Sequence, residues 1–123
     1  MARILVIEDD REIRANLARF LVLEGHEVLQ AGDGATGVAL AAGADLVLCD
    51  LLLPGLDGFG VLQALRTAPA TAALPVLIVT ASAEGDVADA AARRGADGCL
   101  VKPFDLRLLG QRVHDMVGRP RAG

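Results

Sequence analysis

The sequence predicts an α/β fold: a doubly wound (βα)5 flavodoxin-like domain with a parallel five-stranded sheet in the order 2-1-3-4-5. Three observations carry that expectation. Short apolar runs recur five times along the chain, stretches of helical period fill the intervals between them, and the second run is visibly more polar than the others.

The first run, Ile4-Leu5-Val6-Ile7, is continuous and rich in β-branched residues, as befits a strand buried on both faces. Asp10 is then placed to cap a helix, in which Ile13, Leu17, Phe20, Leu21 and Glu24 recur at helical spacing, apolar until Gly25 ends the turn. Glu27-Val28-Leu29-Gln30 is the weak run and suits a sheet edge. An Ala-rich helix from Ala35 to Ala42 stops at Gly43, and Leu46-Val47-Leu48-Cys49 forms the third strand. Phe59, Leu62 and Leu65 mark a third helix, closed off by Pro69 and Pro75, before the strand Val76-Leu77-Ile78-Val79. Val87 to Arg94 is a fourth helix ending at Gly95, with Arg93 and Arg94 in the last turn, where cations are favourable. Cys99-Leu100-Val101 is the fifth strand, and Leu106, Leu109, Val113 and Met116 or Val117 mark the fifth helix. The domain is expected over 1–118, with 119–123 a flexible tail or the start of a linker. Right-handed crossovers leave few topologies, and the order 2-1-3-4-5 sets the weak run at the edge and the three strongest runs inside.

Composition narrows the function. The 123 residues make one domain, and the 53% hydrophobic content is built mostly from 22 Ala and 20 Leu. Three Phe, with no Trp and no Tyr, leave no stacking platform for single-stranded nucleic acid. A net charge of −4 leaves no basic footprint for phosphate backbones. The apolar runs fall far short of the roughly 20 residues that span a bilayer, and Arg3, four apolar residues and three acids do not make a signal peptide. The expectation is a soluble, cytoplasmic domain that binds neither nucleic acid nor membrane. Cys49 and Cys99 lack metal-ligand spacing and read as small buried hydrophobes. With a strand between theirs they stand about 9.6 Å apart, beyond the ~7 Å limit for bridging.

In a sheet of this kind ligands bind beyond the carboxyl ends of the strands, near the switch point between the first and third. After the first strand come Glu8, Asp9 and Asp10; the third strand ends in Asp50, the fourth in Thr80, and the fifth in Lys102 followed by Pro103. Topology alone converges these on one crevice. Glu8, Asp9 and Asp50 would crowd carboxylates within about 5 Å, where each like-charge pair costs ~3 kcal/mol at an effective dielectric near 20. Only Lys102 opposes that repulsion, so the cluster is expected to recruit a hard divalent cation. Oxygen-only ligands favour Mg²⁺, Mn²⁺ or Ca²⁺ over zinc. A metal, a nucleophilic carboxylate, a hydroxyl and an ammonium are the parts needed for phosphoryl transfer onto an aspartate.

These residues resemble a known family, the receiver domain of two-component response regulators. The likeness runs from Ile4-Leu5-Val6-Ile7-Glu8-Asp9-Asp10 through Cys49-Asp50-Leu51-Leu52-Leu53-Pro54-Gly55-Leu56-Asp57-Gly58 and Val79-Thr80-Ala81 to Val101-Lys102-Pro103-Phe104. It implies that Asp50 is the phosphoacceptor, taking its phosphoryl group from a histidine kinase or a histidine phosphotransfer protein. It also implies that Glu8 and Asp9 are the acid pair, with Asp9, Asp50 and the Leu52 carbonyl contacting Mg²⁺. By the same likeness Thr80 is the switch hydroxyl, Lys102 the phosphate-binding lysine, and Lys102-Pro103 a cis peptide. The implied signal passes through helix 4, strand 5 and helix 5 to an output domain or target that no residue here specifies. The domain would be substrate and self-catalyst of phosphotransfer, with at most slow autodephosphorylation, rather than a turnover enzyme.

One position departs from the family. Three residues before the lysine it usually has Tyr or Phe, and here stands Cys99. A thiol cannot fill the pocket of a ring, so phosphorylation is expected to survive while switching weakens or takes another route. The alternative reading is therefore a receiver-like interaction module with weak or lost switching. Two further rivals fit less well. Gly32-Asp33-Gly34-Ala35-Thr36-Gly37 matches a dinucleotide-binding fingerprint, yet follows the weakest strand and leaves Glu8, Asp9, Thr80 and Lys102 unexplained. An aspartyl-phosphate hydrolase would carry a second Asp two residues after the nucleophile, where this chain has Leu52.

Overall fold

The computed structural model describes residues 2–81 and 85–117. The expected tail over 119–123, and the domain end at 118, lie outside the described residues. Strands β1 (Arg3–Ile7), β2 (Glu27–Ala31), β3 (Leu46–Asp50), β4 (Val76–Thr80) and β5 (Gly98–Val101) alternate with helices. These are α1 (Arg11–Leu23), α2 (Gly34–Leu40), α3 (Gly58–Thr67), α4 (Gly85–Arg93) and α5 (Leu106–Val117). The sheet is parallel throughout, in the order β2-β1-β3-β4-β5. The expected fold class and strand order are both found.

The alternation of side chains along each strand divides the core into two layers. Leu5, Ile7, Val47, Cys49, Val76 and Ile78 pack with Val61, Leu62 and Leu65 of α3 and with Ala91 of α4. Ile4, Val6, Leu46, Leu48, Leu77, Val79 and Leu100 pack with Leu17 and Leu21 of α1 and Leu109, Val113 and Met116 of α5. Strands β3 and β4 are buried along their whole length, whereas β2 is partly exposed, as its polar sequence at a sheet edge requires.

Helix entries follow their capping chemistry. Asp10 accepts a hydrogen bond from the Ile13 amide at 3.0 Å, Asp33 one from Thr36 at 2.8 Å, and Asp57 one from Gly60 at 2.9 Å. Helix α1 stops before Gly25, which holds φ = +94°. The Ala-rich second helix ends at Leu40, and its expected remainder is a 3-10 turn over Ala41–Gly43. Asp50 and Thr80 end their strands as expected, whereas β5 ends at Val101, one residue before Lys102.

Two positions of the expected core are open. Ile13 is 38% exposed and Leu106 42%, both in the first turns of their helices, while Leu17 and Leu109 further along are buried. Together with Leu17, Ala81, Lys102, Pro103 and Phe104, Ile13 and Leu106 line an apolar cleft of about 500 Å³ beside the strand ends. Cys49 and Cys99 are both free, and each pairs in register with Ile78 of the strand between them, so no bridge can form within the chain.

Candidate functional site

Register brings the strand ends to one level. Ile7 lies opposite Cys49, Asp50 opposite Val79, and Thr80 opposite Val101. The ladder then continues for one more bond on each strand: the Glu8 amide donates to the Ala31 carbonyl at 3.0 Å, Leu51 to Val79 at 2.9 Å, and Lys102 to Thr80 at 2.7 Å. The side chains that leave the sheet are therefore fixed by backbone pairing, which is stiffer than a free loop.

Glu8 is 3% exposed and Asp50 8%. The Lys102 ammonium joins them, donating to a Glu8 carboxylate oxygen at 2.7 Å and to Asp50 Oδ2 at 3.1 Å. The other Glu8 oxygen accepts from the Asp10 amide at 3.2 Å, and Asp50 Oδ1 accepts from the Leu52 amide at 3.2 Å. Asp9 is exposed, yet carboxylate oxygens of Glu8, Asp9 and Asp50 all lie within 4.8 Å of one another. Thr80 is buried at the end of the neighbouring strand, one residue past the partner of Asp50. Lys102-Pro103 is cis. Leu52 projects into solvent, but its backbone stands beside the Asp50 carboxylate. Of the six site residues expected from the sequence, the structure thus gathers Glu8, Asp9, Asp50 and Lys102 by direct geometry, and sets Leu52 and Thr80 alongside.

The charges do not balance. Burial, aided by the charge of Asp50, pushes the Glu8 carboxyl above the usual carboxylate range, against the pull of the Lys102 hydrogen bond. Burial also acts to lower Lys102, but its bonds to Glu8 and Asp50 prevail and raise it. Three carboxylates facing one ammonium leave an excess of two negative charges on an all-oxygen donor set, which fits a hard divalent cation. The fit rests on Asp9 as well: its exposed carboxylate has neither burial nor the lysine to satisfy it.

Arg14 went unnoticed in the sequence. Its guanidinium donates to the Glu8 carbonyl at 2.9 Å and so steadies the turn that presents the acid pair. The available signal was a cation one turn into a helix that follows three acids.

Cys99 is half-buried on β5, and burial raises its thiol despite the opposing Arg112. Beside it Ala88, Ala91, Ala92, Ala96, Gly98 and Arg112 surround a cavity of about 250 Å³ between α4, β5 and α5.

A family model, the response regulator receiver domain, matches residues 4–114. The chain belongs to that family. Its members are the phosphoacceptors of two-component systems, and this chain shares their fold and their acidic cleft. It is 40% identical to Protein PilH of Pseudomonas aeruginosa, over 95% of this chain and 98% of that one. It is 41% identical to the DNA-binding dual master transcriptional regulator RpaA of Synechocystis, over 97% of this chain but only 50% of RpaA. The chain therefore spans about half the length of such curated relatives. Among solved structures, the receiver domain of the sensor histidine kinase PA1611 from Pseudomonas aeruginosa superposes with a TM-score of 0.88 at 26% identity, covering 96% of this chain and 98% of that one. That neighbour carries a magnesium ion coordinated in its active-site cleft. No helix among the described residues is long and apolar enough to cross a membrane.

Proposed function

We propose that this domain accepts a phosphoryl group on Asp50 from a histidine kinase or a histidine phosphotransfer protein in the cytoplasm, and relays the change to an output partner through α4, β5 and α5. One observation carries the reading: Lys102 bridges Glu8 and Asp50 while Asp9 stands within 4.8 Å of both, so an acceptor, an acid pair and a phosphate-pairing cation share one crevice.

Asp9, Asp50 and the Leu52 carbonyl would hold Mg²⁺, with Glu8 behind them. When bound, the ion offsets the excess negative charge and polarises phosphoryl oxygens. The remaining work falls to the chain itself. A carboxylate oxygen of Asp50 attacks phosphorus as the P–N bond to the donor histidine breaks. The bonding pair returns to an imidazole already protonated on its second nitrogen, and neutral histidine leaves. Lys102, already 3.1 Å from Asp50, shifts its ammonium toward a phosphoryl oxygen. The Thr80 hydroxyl, at the same edge of the sheet, takes another. Leu52 stands where a hydrolase would need an acid to activate water, so autodephosphorylation is slow at most and the domain is no turnover enzyme. Cys99 beside an unfilled cavity favours a weakened switch over a ring that swings inward.

Intact mass after incubation with a small acyl phosphate tests the reading. The expected result is one added phosphoryl group, dependent on Mg²⁺ and absent in Asp50→Asn. An adduct that persists in Asp50→Asn refutes the assignment of the acceptor.

A further inference from the structure

The glycine-rich segment at the start of α2 has no part in the chemistry above, yet it touches the loop that does. We infer that Gly34 and Gly60 form a socket for Leu56, and that this socket positions the β3–α3 loop, including the Leu52 backbone, for the metal and the phosphoryl group. The inference deepens the proposed function and rests on it for the identity of the ligand.

A Cβ on Gly34 would stand 2.3 Å from the Leu56 carbonyl oxygen and 3.1 Å from the Leu56 Cβ. A Cβ on Gly60 would stand 2.4 Å from Leu56 Cδ1. Leu56 is thus enclosed from two sides by backbone, from α2 and from the first turn of α3, although it is 38% exposed to solvent. The loop is anchored near its two ends and open between them. Leu51 and Leu53 are buried in the core and the Asp57 carboxylate accepts from the Gly60 amide, whereas Leu52, Pro54, Gly55 and Asp57 are exposed; the Leu52 amide on Asp50 and the Gly58 amide on the Leu51 carbonyl at 2.8 Å are further ties. The far end has no slack, since a Cβ on Gly58 would meet the Asp50 carbonyl at 2.8 Å.

A side chain at position 34 must therefore displace something by about 0.7 Å to reach 3.0 Å, the closest approach that real Cβ atoms make. Helix α2 is seated closely on the Ile7 side chain of β1, for a Cβ on Gly37 would lie 2.3 Å from Ile7 Cδ1 and 2.7 Å from its Cγ1. The exposed loop is the softer side and yields. Gly34, Gly60 and Leu56 are positioning residues: they act on the site through the loop and touch no reacting atom.

Gly34→Ala, Leu56→Ala and Gly37→Ala separate this from mere stability. Gly37→Ala strains the same helix against β1, away from the loop. Mg²⁺ affinity is read from a magnesium chloride titration of backbone amide shifts, and the metal-free spectra report on amides 51–58. Gly34→Ala and Leu56→Ala should each weaken Mg²⁺ binding about tenfold, as loss of a supporting partner around a metal typically does. Both should shift amides 51–58 even without metal. Gly37→Ala should lower the melting temperature while Mg²⁺ affinity stays within about twofold. If Gly34→Ala does not fold, Leu56→Ala, which adds no bulk, decides alone. Wild-type affinity in both loop variants, or an equal loss in Gly37→Ala, overturns the socket. A wild type that binds no Mg²⁺ refutes the functional reading instead, and the metal-free amide shifts then decide the socket by themselves.

Discussion

Neutralising Asp50 should stabilise the metal-free protein, and the structure supplies the magnitude. Asp50 faces Glu8 and Asp9 within 4.8 Å and Lys102 at 3.1 Å. At an effective dielectric near 20, each repulsion is worth about 3.5 kcal/mol and the attraction about 5. The balance, about 2 kcal/mol, opposes folding, and the burial of an ionised carboxylate adds to it. Asp50→Asn keeps the shape, removes the charge and leaves Lys102 bonded to Glu8. For a chain of this length about 2 kcal/mol corresponds to a rise in melting temperature of roughly 8 °C. Without Trp or Tyr, far-UV circular dichroism is the suitable probe. In chelator the mutant should melt higher than wild type. At magnesium concentrations about 100-fold above the dissociation constant, wild type should gain about 2.7 kcal/mol and the mutant much less. A mutant that melts lower in both conditions, or gains as much from magnesium, refutes the account of an excess negative cluster.

The other predictions probe the same cluster and the output face. Lys102→Met removes the cation that bridges Glu8 and Asp50, and should cost about 3 kcal/mol at pH 8 in chelator by chemical denaturation. Because the folded Glu8 carboxyl already titrates above its unfolded value, its ionised form weighs against folding above that pKa and the weight lifts as pH falls through it. The Lys102→Met deficit should accordingly shrink toward acid, and a deficit that grows there refutes the assignment. Native alkylation should give a single adduct, on half-buried Cys99, since Cys49 is fully buried with its thiol pushed far up by burial and by the charge of Asp50; peptide mapping checks it. Cys99→Tyr should seat a ring at the 250 Å³ cavity. Amide shifts over 85–101 on binding a phosphate analogue should then exceed those of wild type, and equal shifts in both proteins count against the weakened switch.

The sequence made the sheet legible because a strand buried on both faces must be apolar without interruption, and β1, β3 and β4 are. It made the acid–lysine cluster legible for a related reason: parallel strands end at one edge, so chemistry at the ends of distant segments is brought together by topology. Lys102 and Glu8 are 94 residues apart in sequence and in contact at 2.7 Å, and strand order alone was enough to foresee it. What stayed hidden depends on where backbones approach one another. Ile13 and Leu106 satisfy the helical period of a core face, yet the period cannot say that the first turn of a helix stays partly open. Gly34 and Gly37 read as a phosphate-binding fingerprint because the pattern records only that small residues are needed. It does not record whether the close neighbour is a ligand or another part of the chain. Here the neighbours are the Leu56 carbonyl and the Ile7 side chain, so the same absence of a Cβ that would admit a pyrophosphate elsewhere brings α2 down onto β1 and onto the loop beside Asp50. The motif was a true signal of close approach, and only the third dimension says what approaches.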